Sequence, residues 1–152
     1  MHYQLKYSQK LNCTIDEAWD FITSPINLEG ITPKSMSFKI TSDNPEQKIY
    51  PGMIITYKVA PILGIKMPWV TEITHCEDHK YFVDEQRLGP YKMWHHQHIL
   101  EDHKTHVVMK DIITYIPPFG IIGSIANSLL IRNKVSSIFD YRYKVLEERF
   151  NR

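Results

Sequence analysis

Apolar and polar residues alternate from the start of the chain. Tyr3, Leu5, Tyr7 and Leu11 fall on one face and Gln4, Lys6, Ser8 and Lys10 on the other, the period-2 pattern of a half-buried strand. The next segment, TIDEAWDFI, opens with a capping box. The Thr14 hydroxyl accepts from the Glu17 N–H while the Glu17 carboxylate reaches back. Ala18, Trp19 and Ile22 make the inward stripe of a short helix that stops before Pro25, and a second short turn, INLEGITP, runs to Pro33. Six more strands are predicted, over Met36–Thr41, Met53–Val59, Met67–Ile73, Tyr81–Arg87, Tyr91–Leu100 and His106–Ile116. The connections between them are short and turn-rich, so successive strands pair antiparallel as a meander. After PPFG the period lengthens to about 3.6. Ile125, Leu129, Ile138, Phe139, Leu146 and Phe150 mark a long amphipathic helix, loosened near Asn133. The predicted class is α+β: a curved seven-stranded antiparallel sheet wrapped around a long C-terminal helix, with two short helices after the first strand. A sheet of this kind cannot bury its concave face alone, and only the last helix is large enough to cover it.

Length and charge narrow the function classes. A chain of 152 residues favours one domain spanning 1–152. A formal charge of +1 gives none of the basic footprint of a nucleic-acid binder. No apolar run reaches the roughly 18 residues of a membrane span. The nearest, Ile116–Ile131, is broken by Pro117, Pro118, two glycines and Asn127. The start carries no signal-peptide core, and two cysteines fit a reducing cytosol, so a cytoplasmic location is expected. Nothing fixes the oligomeric state. Eight His, nine Tyr and three Trp suggest an interior that mixes aromatic surface with polar tips.

The chemistry concentrates in GPYKMWHHQHIL and its partner strand. Trp94, His96, His98 and Leu100 share one strand face, and Met109, Asp111, Ile113 and Tyr115 share the facing one. A hairpin centred between His103 and Lys104 would set His96 opposite Asp111, His98 opposite Met109 and Trp94 opposite Ile113. The preceding strand offers Phe82, Asp84 and Gln86 at the same period. Two imidazoles and a carboxylate on an aromatic wall admit four readings: a satisfied buried network, a set that orients a ligand's polar end, a general acid–base group, or a metal site. The buried network comes first. HCEDH, His75–His79, reads as a solvated turn, and Trp19 and Trp69 read first as core. Arg142 is expected to snorkel from the helix, and neither Cys13 nor Cys76 has a nucleophile's setting. GxGxxG, P-loop, HExxH and GxSxG patterns are absent.

Taken in order, several pieces resemble a known superfamily. They are Asn27–Pro33, Trp69 through VTEIT, Phe82–Tyr91, the Trp94/His96/His98 set, Asp111 with Tyr115 and the two prolines after it, and IFDYR at Ile138–Arg142. Together they resemble the START-like, SRPBCC or polyketide-cyclase group, which shares its helix-grip fold with the major pollen allergens. The likeness is nearest to bacterial ligand-binding SRPBCC proteins and covers nearly the whole chain. The group includes lipid carriers, hormone receptors, aromatic cyclases, oxygenase domains and co-chaperone activators, so it implies a fold more firmly than an activity. Its oxygenase members hold iron with two His and one carboxylate on other elements, and no motif places such a set here. No metal and no cofactor are therefore expected.

The expected function is binding of a small, largely apolar molecule (lipid, polyketide or isoprenoid-like) between sheet and helix. Its candidate lining is Trp69, Gln86, Trp94, His96, His98, Met109, Asp111, Ile113, Tyr115, Phe119, Ile122 and Phe139, with PPFGIIGSI as the entrance. One alternative is a cyclase, dehydratase or isomerase in which a His/Asp pair is the base and Tyr115 or the second His the donor. The other is a regulatory module that meets a partner protein through Phe119 and Ile122.

Overall fold

The computed structural model describes residues 1–60, 64–118 and 130–152. Strand β1 (Tyr3–Leu11) leads into α1 (Ile15–Ile22) and α2 (Pro25–Gly30), and a 3-10 turn over Lys34–Met36 follows. Strands β2 (Lys39–Ile40), β3 (Ile54–Val59), β4 (Met67–Glu77), β5 (Tyr81–Leu88), β6 (Met93–Asp102) and β7 (Val107–Ile116) come next, and helix α3 (Arg132–Phe150) closes the chain. The order across the sheet is β1-β7-β6-β5-β4-β3-β2, every pair antiparallel. The meander is as expected, and β1 closes it by pairing with β7 rather than with β2.

Local chemistry explains the elements. Thr14 caps α1, accepting from the Glu17 N–H while Glu17 accepts from the Thr14 N–H, so two orphan donors of the first turn are satisfied. Two register shifts interrupt β4 against β5, at Val70/Thr71 and Ile73/His75. Such bulges bend a strand and raise its twist, which is what a sheet needs to wrap a helix. On α3 the buried residues are Val135, Phe139, Arg142 and Leu146, spaced 4, 3 and 4 along one stripe. Phe139 stacks on Tyr7 of β1 at 5.1 Å, and the Gln9 amide donates to the Tyr143 carbonyl and the Glu147 carboxylate. These contacts hold the helix against the edge of the sheet formed by β1.

Four expectations are corrected. Met36 lies in the 3-10 turn rather than a strand, and β2 is only two residues long. The Ser37 backbone is left-handed, at a φ of 46°, which breaks the alternation there. In HCEDH the first three residues extend β4, and the turn is Asp78–Lys80, with His79 at a φ of 61°. The β6–β7 hairpin closes over His103–His106, with Lys104 at a φ of 65°, so His98 faces Asp111, His96 faces Ile113 and Trp94 faces Tyr115. That register lies two residues from the expected one. Because side chains alternate with a period of two, every residue keeps its predicted face and only its partner changes. The expected entrance, with Phe119, Ile122, Ile125 and Leu129, lies outside the described residues. Among the described residues no helix is long and apolar enough to cross a membrane.

Candidate functional site

Three neighbouring strands bring four ionisable side chains together on the concave face. Asp84 of β5 sits opposite His96 of β6, and His98 of β6 sits opposite Asp111 of β7. The shortest contacts run diagonally across the strands, within reach of long side chains. His96 Nε2 donates to Asp111 Oδ1 at 2.8 Å, and His98 Nε2 donates to Asp84 Oδ2 at 2.7 Å. The remaining nitrogens complete a ring, with His96 Nδ1 3.3 Å from Asp84 Oδ2 and His98 Nδ1 3.3 Å from Asp111 Oδ1. Each carboxylate thus meets both imidazoles. The imidazole rings lie 3.7 Å apart, and Phe82 stacks on His98 at 4.0 Å.

The ring of four stands at the wall of a cavity of about 130 Å³ between the sheet and α3. Asp84, His96 and His98 border it, among Met36, Phe38, Ile55, Tyr57, Trp69, Phe82, Trp94 and Phe139. The Tyr57 hydroxyl is engaged by Thr71 Oγ1 at 2.6 Å. Burial, then the Asp84 charge, pushes that phenol above its ordinary range, so Tyr57 stays neutral. Arg142 of α3 also borders the cavity, 6% exposed, with its guanidinium 4.7 Å above the Phe139 ring and Nη1 3.8 Å from Asp111 Oδ1.

A sheet gripping one long helix is also the architecture of solved proteins with little sequence in common with this one. TTHA0849 from Thermus thermophilus superposes with a TM-score of 0.72 at 14% identity, over 97% of this chain and 96% of that one. The ginseng major latex-like protein 151 from Panax ginseng gives 0.68 at 12% identity, over 98% and 97%. Ara h 8.0201 gives 0.59 at 12% identity, over 97% and 99%. The chain has the helix-grip fold. No protein-family model matches the sequence, and no curated protein matches it.

Within this helix-grip frame the expected site residues divide. Trp69, Trp94, His96, His98 and Phe139 border the cavity. Gln86 does not: its amide donates to the Tyr91 carbonyl and accepts from the Tyr91 N–H, clamping the β5–β6 turn over Gly89, where a Cβ would collide with it. Ile113 and Tyr115 are fully buried and set back from the cavity wall. Met109 and Asp111 line a separate hollow of about 10 Å³ beside Gln9 and Leu146. Asp111 therefore touches the cavity through the imidazoles. Two residues matter more than the sequence reading allowed. Asp84 holds both imidazoles, and its signal was the inward period shared with Phe82. Arg142 is buried instead of snorkelling, because its place on the Val135–Leu146 stripe points it under the helix.

Asp84, His96 and His98 each present a ligand-type atom within 4.8 Å of the others, the spacing a cation would need. Their mutual hydrogen bonds account for that spacing without an ion. Burial pushes both carboxyls up, yet His96 and His98 together hold Asp84 and Asp111 well below the usual carboxylate range. For His96 burial pushes the imidazole down, but the Asp84 charge and the hydrogen bonds to Asp111 and Asp84 raise it above its ordinary value.

The linkage gives a pH prediction. The depressed carboxyls add stability that is present above their unfolded value of about 3.9 and lost as pH falls through their folded values. The raised His96 adds stability that is full below about pH 6.5 and lost as pH rises through its folded value. Both contributions are complete between those limits, with His98 and Arg142 as the other ionisable groups that face the set. The melting temperature is expected to peak at mildly acidic pH and to fall as pH rises above about 6.5, and His96→Asn should flatten that fall. An equal slope in the two proteins would exclude His96 as its source.

Proposed function

We propose that this chain, acting as one domain in the cytosol, binds a small, largely apolar molecule in the hollow between the sheet and α3. The cavity carries the reading: its wall is mostly aromatic and aliphatic, with a few polar side chains among them. Such a site gains affinity from burial at roughly 25 cal/mol per Å² of apolar surface, while a few fixed polar groups orient the ligand. Its size narrows the class. At about 130 Å³ it is close to the roughly 150 Å³ apolar cavity known to take up benzene, and below the ~300–1,000 Å³ of typical ligand sites. A single aromatic or alicyclic ring suits it better than an extended lipid or polyketide. The free Cys13 and Cys76 fit a reducing compartment.

Toluene tests the reading. Titrated into the protein, it should shift the indole N–H resonances of Trp69 and Trp94, which border the hollow, more than that of Trp19, which reaches it only through Phe82. Ile55→Phe, which fills the space from β3, should weaken toluene binding at least about tenfold. Absence of any toluene-dependent shift at Trp69 and Trp94 would remove the proposal.

A catalytic reading has one observation in its favour: two imidazoles, each held by carboxylates, border the same hollow. A base held in this way could take a proton from an acidic carbon, with the second imidazole as donor to the developing oxyanion. Tyr115, set back from the cavity wall, is the weaker donor. His96→Gln and His98→Gln separate this from binding, because lost turnover with retained binding is the signature of an acid–base role.

A further inference from the structure

Two residues that border the large cavity carry buried hydrogen-bond donors without acceptors. Arg142 is 6% exposed and Trp69 7%, and both border the hollow. Nε and Nη1 of Arg142 and Nε1 of Trp69 are buried without a hydrogen-bond partner among the described residues. All are donors only, since neither a guanidinium nor an indole can accept. Buried polar groups in folded proteins are nearly always satisfied, and an unmet one of this kind points to a partner that is not protein.

The charges around Arg142 point the same way. Asp111 is its nearest anion, but at 3.8 Å and without a hydrogen bond, because the Asp111 oxygen already receives His96 and faces His98. Asp84 is likewise taken by both imidazoles. The two carboxylates therefore make their short contacts to the two histidines, and Arg142 is left with one longer contact to Asp111. Arg142 and Asp111 also border the neighbouring hollow, which at about 10 Å³ is at the lower limit for one water; a water there could serve Nη1 but not Nε1 of Trp69, which borders only the larger cavity. The guanidinium is braced by the Phe139 ring, which fixes it without consuming a donor.

Building on the proposed ligand site, we infer that its natural ligand is a ring-sized carboxylic acid whose carboxylate is gripped by Arg142 while the ring lies among the aromatic walls. A carboxylate matches the planar fork of a guanidinium, forms charge-assisted bonds to it and supplies acceptors only. A ring of this size fits about 130 Å³.

Three isosteric probes test the inference: benzoate, benzamide and toluene, each titrated into the full chain and followed by NMR. The unmodified protein should bind benzoate at least about tenfold tighter than benzamide, the discrimination expected of one charge-assisted pair. Arg142→Met should erase that preference and still take up toluene. Arg142→Lys, which keeps the charge but loses the fork, should retain part of it. Equal affinity for benzoate and benzamide in the unmodified protein would overturn the inference without any variant, as would a benzoate preference that survives Arg142→Met. Toluene separates the two claims. If toluene binds and benzoate has no advantage, the apolar site stands and the carboxylate grip falls. If benzoate binds through Arg142 and toluene does not, the grip stands and the apolar hollow is not the source of affinity. If no probe binds, both fall.

Discussion

Asp111→Ala is expected to cost about 3 kcal/mol of stability, a large share of the roughly 5–15 kcal/mol available to a domain. The carboxylate is 6% exposed and receives the 2.8 Å hydrogen bond from His96 Nε2, with His98 Nδ1 3.3 Å and Arg142 Nη1 3.8 Å away. Its removal leaves the His96 donor and the Arg142 guanidinium facing a methyl. The consequences differ by residue. His96 keeps Asp84, whose charge is the first cause of its raised proton affinity, so its share of the cost is limited. Arg142 cannot shed its charge, because a guanidinium stays charged throughout the range in which proteins fold. The buried cation therefore accounts for much of the loss, and Asp111→Ala combined with Arg142→Met should recover at least about 1 kcal/mol. Urea denaturation of the two single variants and the double variant measures this directly, provided the slopes match. Additive losses would mean that Arg142 does not sense Asp111, and that the 3.8 Å separation is energetically empty.

That coupling also explains which parts of the site could be read from the chain. The faces of β6 and β7 follow from alternation alone, so Trp94, His96, His98 and Asp111 were expected on one wall, and they share it. Pairing partners depend on the hairpin, and the turn over His103–His106 shifted them by two. A two-residue shift preserves every face, which is why the residue set survived the register error. Asp84 was visible only as an inward position on β5. Its weight comes from lying across from His96 and diagonal to His98, a relation between strands that no single stretch of sequence carries. Arg142 was misjudged because long cationic side chains usually reach solvent from a helix. Here positions 135, 139, 142 and 146 form one buried stripe, so the arginine occupies a place the helical period reserves for an apolar residue. A break in amphipathic pattern at such a position was the available signal. Gln86 failed as a lining residue for the opposite reason: the turn that follows it captured its amide at Tyr91. The short β2 was hidden by Ser37, whose left-handed backbone no alternation pattern reveals.

Phe139→Ala should be the most damaging change on α3, at about 3–5 kcal/mol. Phe139 is closely packed: it stacks on Tyr7 at 5.1 Å, meets the His96 ring edge-on at 5.3 Å and carries the Arg142 guanidinium at 4.7 Å. Truncation removes all three contacts and adds the volume of a phenyl ring to a hollow that already exists, so the surroundings have little means of closing over it. Phe139→Leu, which keeps most of the apolar volume, should cost about half as much or less. The same enlargement has a functional consequence. A cavity of about 130 Å³ should refuse naphthalene in the unmodified protein, whereas Phe139→Ala should admit it and recover part of its lost stability on binding, as any ligand selective for the folded state does. The paired measurement is urea denaturation with and without naphthalene. A loss below about 1 kcal/mol, or no stabilisation by naphthalene, would mean that α3 relaxes onto the sheet when Phe139 is shortened. The hollow would then be a product of one side chain's bulk rather than of the way the sheet grips the helix.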